Sequence, residues 1–280
     1  MKTILIVVAG MADRPDPITS KDTPLTTAHI PSLDLLGQRG ILTSFPTYDD
    51  RFPISHVNSL LSLLGYDLQR GEPNVNQLME FGLDHNHQLT DFETLRPFVI
   101  PGFSGHGVCI TPSAWVRGVA KCAFLRPLDI YSPGSADAEI ADAMAKLATQ
   151  SIQNEEFVLV YIDTPLKASL KGNYQEKVRA IEQIDRHLIA PIADFVWKSE
   201  LMINLAVTTD LTTPWHRRRP TKIDVPLALY FNNHDSEGDL EISFTEVESF
   251  LSERFLLEPS DLIKYLINFS VSESEDELPF

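Results

Sequence analysis

Residues 4–10 read Ile4-Leu5-Ile6-Val7-Val8-Ala9-Gly10. Five aliphatic residues run together with no polar residue between them. That is the signature of a strand buried on both faces, as in a parallel sheet. A second such run is Phe157-Val158-Leu159-Val160-Tyr161-Ile162, and further strands are expected over 128–131, 202–207 and 226–231. Between them lie helical signals: Pro near the start and Gly near the end of 31–37, Ser55 as a cap for a helix to Leu64 with Gly65 as its stop, 113–123, an alanine-rich stretch over 136–150, and 260–269. Over 174–197, Val178, Ile181, Ile184 and Leu188 share one helical face. Strands alternating with helices predict an α/β protein: a mostly parallel sheet with helices on both faces.

The intervening stretches 13–24 and 44–54 read as loops, 132–135 as a turn, and 84–107 as polar apart from an apolar island at Phe98-Val99-Ile100. No repeat or linker interrupts the pattern, so residues 1–270 are read as a single domain and 271–280 as an acidic tail.

With 23 basic and 39 acidic residues the chain carries a net charge of −16, which disfavours a general electrostatic grip on nucleic acid or an anionic membrane. The first apolar run, 4–9, is shorter than a secretory core and far too short to span a bilayer, so the expected location is the cytoplasm. Cys109 and Cys122 do not form a Cys-x-x-Cys motif and read as reduced, buried thiols.

In an open α/β sheet ligands gather beyond the carboxyl ends of the strands. Three such ends are Ala9-Gly10, Asp163-Thr164-Pro165 and Thr208-Thr209-Asp210, and the helix beginning at Ser55 and His56 adds an N-terminus whose free N–H groups favour an anion.

Around these ends the run Val8-Ala9-Gly10-Met11-Ala12-Asp13-Arg14-Pro15 resembles the opening V-x-D-G-M-A-D-R-P of the archaeal-type, cofactor-independent phosphoglycerate mutases, members of the alkaline phosphatase superfamily. Other likenesses follow in the same order. Thr23-Pro24-Leu25 and Ile30-Pro31-Ser32-Leu33-Asp34 resemble T-P-L…T-P-N-x-D, and Leu61-Ser62-Leu63-Leu64-Gly65-Tyr66-Asp67 resembles H-L-S-L-L-G-Y-D. Val116-Arg117-Gly118-Val119-Ala120 resembles V-K-G-V-A; Thr209-Asp210-Leu211-Thr212-Thr213-Pro214 resembles G-D-H-S-T-P; Val225-Pro226 resembles a later V-P.

The resemblance implies an alkaline phosphatase-like core and chemistry built on two divalent metals, manganese or zinc, that activate a serine nucleophile. It also shows what this chain lacks. The aspartate after the first strand is Ala9, the two ends of D-x-x-x-H fall on Leu166 and Leu170, and the D-H pair becomes Asp210-Leu211. A later histidine ligand falls near Pro220, with His216 four residues earlier. The nucleophile falls on His56, or on Ser55 with a one-residue slip. The family's large inserted cap is reduced to about residues 84–106.

The expected metal candidates are therefore Asp210 and His216, and the catalytic candidates Ser55 and His56. Asp163 reads as the start of a turn rather than a ligand. His85, His87 and His106 are spaced as zinc ligands could be, but no cysteine or acid motif completes them. Arg217-Arg218-Arg219, in the loop after Asp210, is a candidate anion site, the alternative being that it pairs with the chain's own acids.

The expected function is that of a degenerate, phosphoglycerate mutase-like pseudoenzyme, without a cofactor, binding a partner protein or an anionic small molecule. The alternatives are a divergent metal-dependent phosphomutase, phosphatase or small-molecule kinase using manganese or zinc, and a structural subunit marked by an exposed apolar patch near 98–103. Oligomeric state is left open.

Overall fold

The computed structural model describes residues 1–15, 22–84, 86–103, 105–130, 136–232, 242–252 and 258–268. The aliphatic runs make the strands β1 (Lys2–Val8), β5 (Phe157–Ile162), β6 (Ile203–Thr208) and β7 (Val225–Phe231), joined by β2 (Ile41–Phe45), β3 (Gly107–Ile110) and β4 (Arg126–Leu128). The helices before β3 are α1 (Pro24–Thr27), α2 (Pro31–Arg39), α3 (His56–Leu63) and α4 (Val75–Leu83). Then come α5 (Ala114–Cys122), α6 (Asp137–Ser151), α7 (Thr164–Lys171), α8 (Tyr174–Ile184), α9 (Ala190–Lys198), α10 (Glu246–Leu251) and α11 (Leu262–Asn268). One π-helical turn, Asp185–Ile189, joins α8 to α9.

The strand order is β2-β7-β6-β1-β5-β3-β4. β7 runs antiparallel to β2 and β6, and the other neighbours are parallel. The expected mostly parallel sheet with helices on both faces is what forms. Side chains alternate across the strands, which gives two cores. Leu5, Val7, Leu159, Tyr161 and Ala206 pack under α3, α4, α5 and α11. Ile4, Ile6, Val8, Val158, Val160 and Val207 pack under α2, α6, α8 and α9. Cys109 and Cys122 are buried, which pushes both thiols up to about 12. No described helix is long and apolar enough to cross a membrane.

The structure corrects several local readings. The strand expected over 128–131 is Arg126–Leu128, and residue 131 and the turn over 132–135 lie outside the described residues, as does the tail. The loop expected from 44 begins two residues later, because Ser44 and Phe45 pair with Pro226 and Val225. β2, β3, α1, α4, α7 and α10 have no counterpart among the expected elements. The segment after α4 is less polar in effect than in composition: Phe92, Leu95, Phe98 and Ile100 are buried in the core. Of the apolar patch expected near 98–103, Val99 stands exposed and Phe98 and Ile100 do not.

α4 and α5 meet almost backbone to backbone. A Cβ on Gly118 would lie 2.1 Å from the Leu78 carbonyl oxygen, and one on Gly82 1.9 Å from that of Ala114. Gly118→Ala therefore forces the helices apart and is expected to cost about 3 kcal/mol, as overpacked cores do. A urea melt within 0.5 kcal/mol of the parent, on the order of a neutral surface change, would show that this crossing yields freely.

Candidate functional site

Because β1, β5 and β6 are parallel and in register, their carboxyl ends open on one edge. Ala9, Asp163 and Asp210 stand there side by side in chain register. The Ala9 N–H donates to the Ile162 carbonyl at 2.8 Å and closes the first two ends together. Gly10 then turns with φ +67°, and a Cβ there would lie 2.7 Å from the Leu166 Cα, so the backbone passes directly over the start of α7. α3 arrives from the other side. Ser55 caps it, its Oγ accepting from Asn58 N at 3.1 Å and donating to Glu72 Oε1 at 3.3 Å.

That cap delivers the next residue, His56, to Asp210. His56 Nδ1 lies 2.6 Å from Asp210 Oδ2 and is the donor, since an ionised carboxylate only accepts. The Tyr161 hydroxyl donates to the same oxygen at 3.0 Å. Oδ1 accepts from the Leu211 N–H at 2.7 Å and the Gly10 N–H at 3.2 Å. The Ser59 hydroxyl takes the Asp210 backbone carbonyl. Asp210 is fully buried, and all four of its carboxylate bonds come from protein groups.

The electrostatics agree with this arrangement. Burial opposes charge on His56, but the Asp210 charge and hydrogen bond, with Asp163 behind them, more than offset it and leave His56 above its ordinary value. Burial and the Asp210 and Asp163 charges hold the Tyr161 phenol well above its ordinary value, so it remains a donor. His56 Nε2 is buried without a hydrogen-bond partner.

The donor set does not fit a two-metal centre. Ala9 and Leu211 are fully buried apolar residues, Leu166 is buried, and Leu170 is exposed to solvent. A metal at Asp210 would have to displace donors from an oxygen that already accepts two. His216, the other metal candidate, makes no bond to Asp210: its Nδ1 is buried without a partner, and its ring stands edge-on to Trp215, with centroids 5.9 Å apart. Among the described residues no three His, Cys, Asp or Glu side chains are grouped to hold an ion. His87 pairs with Asp84 at 3.1 Å, and His85 lies outside the described residues. Asp163 starts α7 and holds Lys167 at 2.8 Å.

A second buried cluster ties the same loops together. Lys177, on α8, places its ammonium 2.7 Å from Asp13 Oδ2, 3.2 Å from the Ala12 carbonyl and 3.1 Å from the Thr213 carbonyl. Lys177 and Asp13 have no exposed side-chain surface. Asp13 also accepts from Trp215 N at 3.0 Å, while its own N–H donates to Glu246 Oε1 at 2.8 Å. Burial raises Glu246 to about 7, against the hydrogen bonds from Asp13 and Thr23 and the charge of Lys177. Arg217, Arg218 and Arg219 are exposed on the turn that follows. The structure thus joins His56 to Asp210 and uses Ser55 as a cap, with His216 and the arginines on the adjoining loop. Tyr161, Lys177 and Glu246 were not singled out from the sequence.

No family model matches the chain. The 2,3-bisphosphoglycerate-independent phosphoglycerate mutase of Methanosarcina mazei is 22% identical over 201 residues, 71% of this chain and 48% of the mutase. Mutase 2 of Methanothermobacter thermautotrophicus is 30% identical over 148 residues, 51% of this chain and 36% of that protein. The chain thus spans about half, or less, of the length of these curated relatives. Among solved structures, the PH0037 protein from Pyrococcus horikoshii superposes with a TM-score of 0.76 at 20% identity, covering 95% of this chain and 96% of that one. The cofactor-independent phosphoglycerate mutase from Thermoplasma acidophilum superposes with a TM-score of 0.64 at 19% identity, covering 95% and 99%. The expected resemblance holds: these curated relatives are archaeal cofactor-independent phosphoglycerate mutases, and the fold is that of the Thermoplasma structure.

Proposed function

We propose that this chain is a metal-free relative of the phosphoglycerate mutases, a pseudoenzyme whose former catalytic edge is closed and which serves by binding a partner protein or an anionic ligand. One observation carries this reading. The surviving carboxylate, Asp210, has both oxygens occupied by Gly10 N, Leu211 N, Tyr161 OH and His56 Nδ1. A divalent ion would have to displace donors from one of these oxygens, and Ala9, Leu166 and Leu211 offer it nothing in return. The binding role is supported by three exposed arginines beside this edge in a chain of net charge −16.

The test is metal content after purification without chelator, followed by calorimetric titration with manganese and zinc. The expected result is no binding tighter than about millimolar, roughly −4 kcal/mol. Two sites per chain at micromolar affinity would overturn the reading.

One observation favours a second reading, a divergent phosphotransferase: an imidazole oriented by a carboxylate is the arrangement of a general base. Against it, the nitrogen that would take the proton, Nε2, is buried without a hydrogen-bond partner. Under this second reading Asp210→Asn abolishes a measurable phosphatase or mutase rate; under the first there is no rate to abolish.

A further inference from the structure

The turn after Asp210 is built more firmly than a solvated loop needs to be. Its neck is closed by Thr221, whose N–H and hydroxyl both donate to the Thr212 carbonyl, at 2.9 and 3.1 Å. Inside the neck, Thr213 N donates to the Ala12 carbonyl at 3.2 Å, the Thr213 carbonyl takes the buried Lys177 ammonium, and Trp215 N is held by Asp13. The Trp215 ring stands edge-on to Tyr174 at 5.5 Å. The Pro214 carbonyl then accepts from both Arg217 N and Arg218 N, which sets a tight turn with Arg218 at φ +54°. A left-handed conformation is uncommon for a residue with a long side chain. The Arg218 guanidinium lies against Gly172, where a Cβ would come within 2.4 Å of Nε.

This rigid frame carries three consecutive exposed arginines, the middle one resting on Gly172. Among the described residues none of the three side chains has a carboxylate, a carbonyl or an aromatic face as partner. The contrast with the adjoining helix is direct. Lys167 and Lys171 of α7 are each held by a carboxylate, Asp163 at 2.8 Å and Glu176 at 2.6 Å. In a chain with 39 acidic and 23 basic residues, acids to pair with are abundant, yet the arginine row is left open. Arginine forks match carboxylates two bonds at a time. Because the forks sit on successive residues, about 3.8 Å apart along the backbone, and on the outside of a turn, they suit acids spaced along an extended chain better than one compact ion.

We propose that the 214–219 turn is a docking site for an extended acidic segment of a partner protein, with Arg217, Arg218 and Arg219 pairing with its carboxylates. This deepens, and rests on, the binding role proposed above. The frame fixes the backbone of the three arginines before the partner arrives, so on this side of the complex the ordering cost falls on their side chains and not on the loop. The negative field of the rest of the molecule works against acidic partners elsewhere on its surface, which confines such binding to this turn.

The probe is a fluorescently labelled decaglutamate peptide, titrated by anisotropy against the full chain. The wild type is expected to bind it, and R217Q/R218Q/R219Q to bind at least tenfold more weakly. Replacing all three arginines by lysine, which keeps the charge and removes the fork, should fall between the two. Because Arg218 packs on Gly172, R217Q/R219Q serves as a second variant that spares that contact; its melting temperature should match the wild type while its affinity drops. Equal binding by wild type and triple variant, or none by either, overturns the proposal. So does stoichiometric binding of inorganic phosphate that displaces the peptide at equal ionic strength, since the turn then belongs to a small anion. Micromolar metal binding with peptide binding intact would sink the metal-free reading and leave this one standing.

Discussion

Asp210→Ala is expected to destabilise the fold by about 4 kcal/mol, the scale set by a broken buried charge pair together with orphaned buried donors. The substitution strands the Tyr161 hydroxyl, the His56 Nδ1–H and the N–H groups of Gly10 and Leu211 in a place water does not reach. The sign of the effect is the useful part. In a metalloenzyme stripped of its ions, clustered ligand carboxylates repel one another, and removing one relieves strain. Here no such cluster exists among the described residues, and the carboxylate is the only acceptor these four donors share. A chemical melt of the variant decides the matter. Stability equal to or above the parent's would mean that Asp210 is still a ligand awaiting its ion.

The second large effect is expected at the Lys177–Asp13 pair. Lys177→Met leaves a buried carboxylate without its counter-charge and should cost about 4 kcal/mol, the usual scale when one partner of a buried pair is removed. Asp13→Asn alone should cost less, since Trp215 N and Arg14 N keep an acceptor in reach. The two together should cost clearly less than their sum, as residues sharing one network do. Glu246 adds a pH dependence to the same cluster. Its folded value, about 7, lies above its ordinary value, so the folded state holds that proton more tightly than the unfolded chain. Its contribution is therefore fully present below the unfolded value, near 4.5, and is lost as pH rises through about 7. His56, also raised, acts in the same direction above its ordinary value of 6.5. The melting temperature of the wild type relative to Glu246→Gln should fall between pH 5 and 7.5. A difference that rises over this range would rule out the raised Glu246 carboxyl.

The central strands were legible because burial on both faces leaves only one kind of residue at each position. β1 and β5 could be read directly. β2 and β3 were not, since Ile41–Phe45 and Gly107–Ile110 are short and mix polar or small residues into the run. α7 was hidden by composition: Leu166 and Ala168 face inward, but the helix also turns Leu170 to solvent, so no clean stripe appears. At the site, order along the chain made both His56 and Asp210 candidates. That they would bind each other, 154 residues apart, depends on where α3 crosses the sheet, which no local pattern encodes. Tyr161 could have been found by alternation, since it stands opposite Val7 and on the α3 side of the sheet. Lys177 also left a signal: it precedes Ile181 and Ile184 at helical spacing and so falls on the apolar stripe of α8, where a lysine needs a buried partner.

The grip of His56 and Tyr161 on Asp210 also bears on what this edge could become. Building the two-metal site that the resemblance implies would take at least Ala9→Asp, Leu166→Asp, Leu170→His and Leu211→His, and those at positions 9 and 211 would put a charge or an imidazole into fully buried apolar surroundings before any ion could compensate it. None of them would loosen the four bonds already made to Asp210. Each early step is uphill, while substitution of exposed residues such as Arg217 and Arg219 leaves the core untouched. On the metal-free reading proposed above, what such a chain binds can change far more easily than a two-metal centre can be assembled in its core.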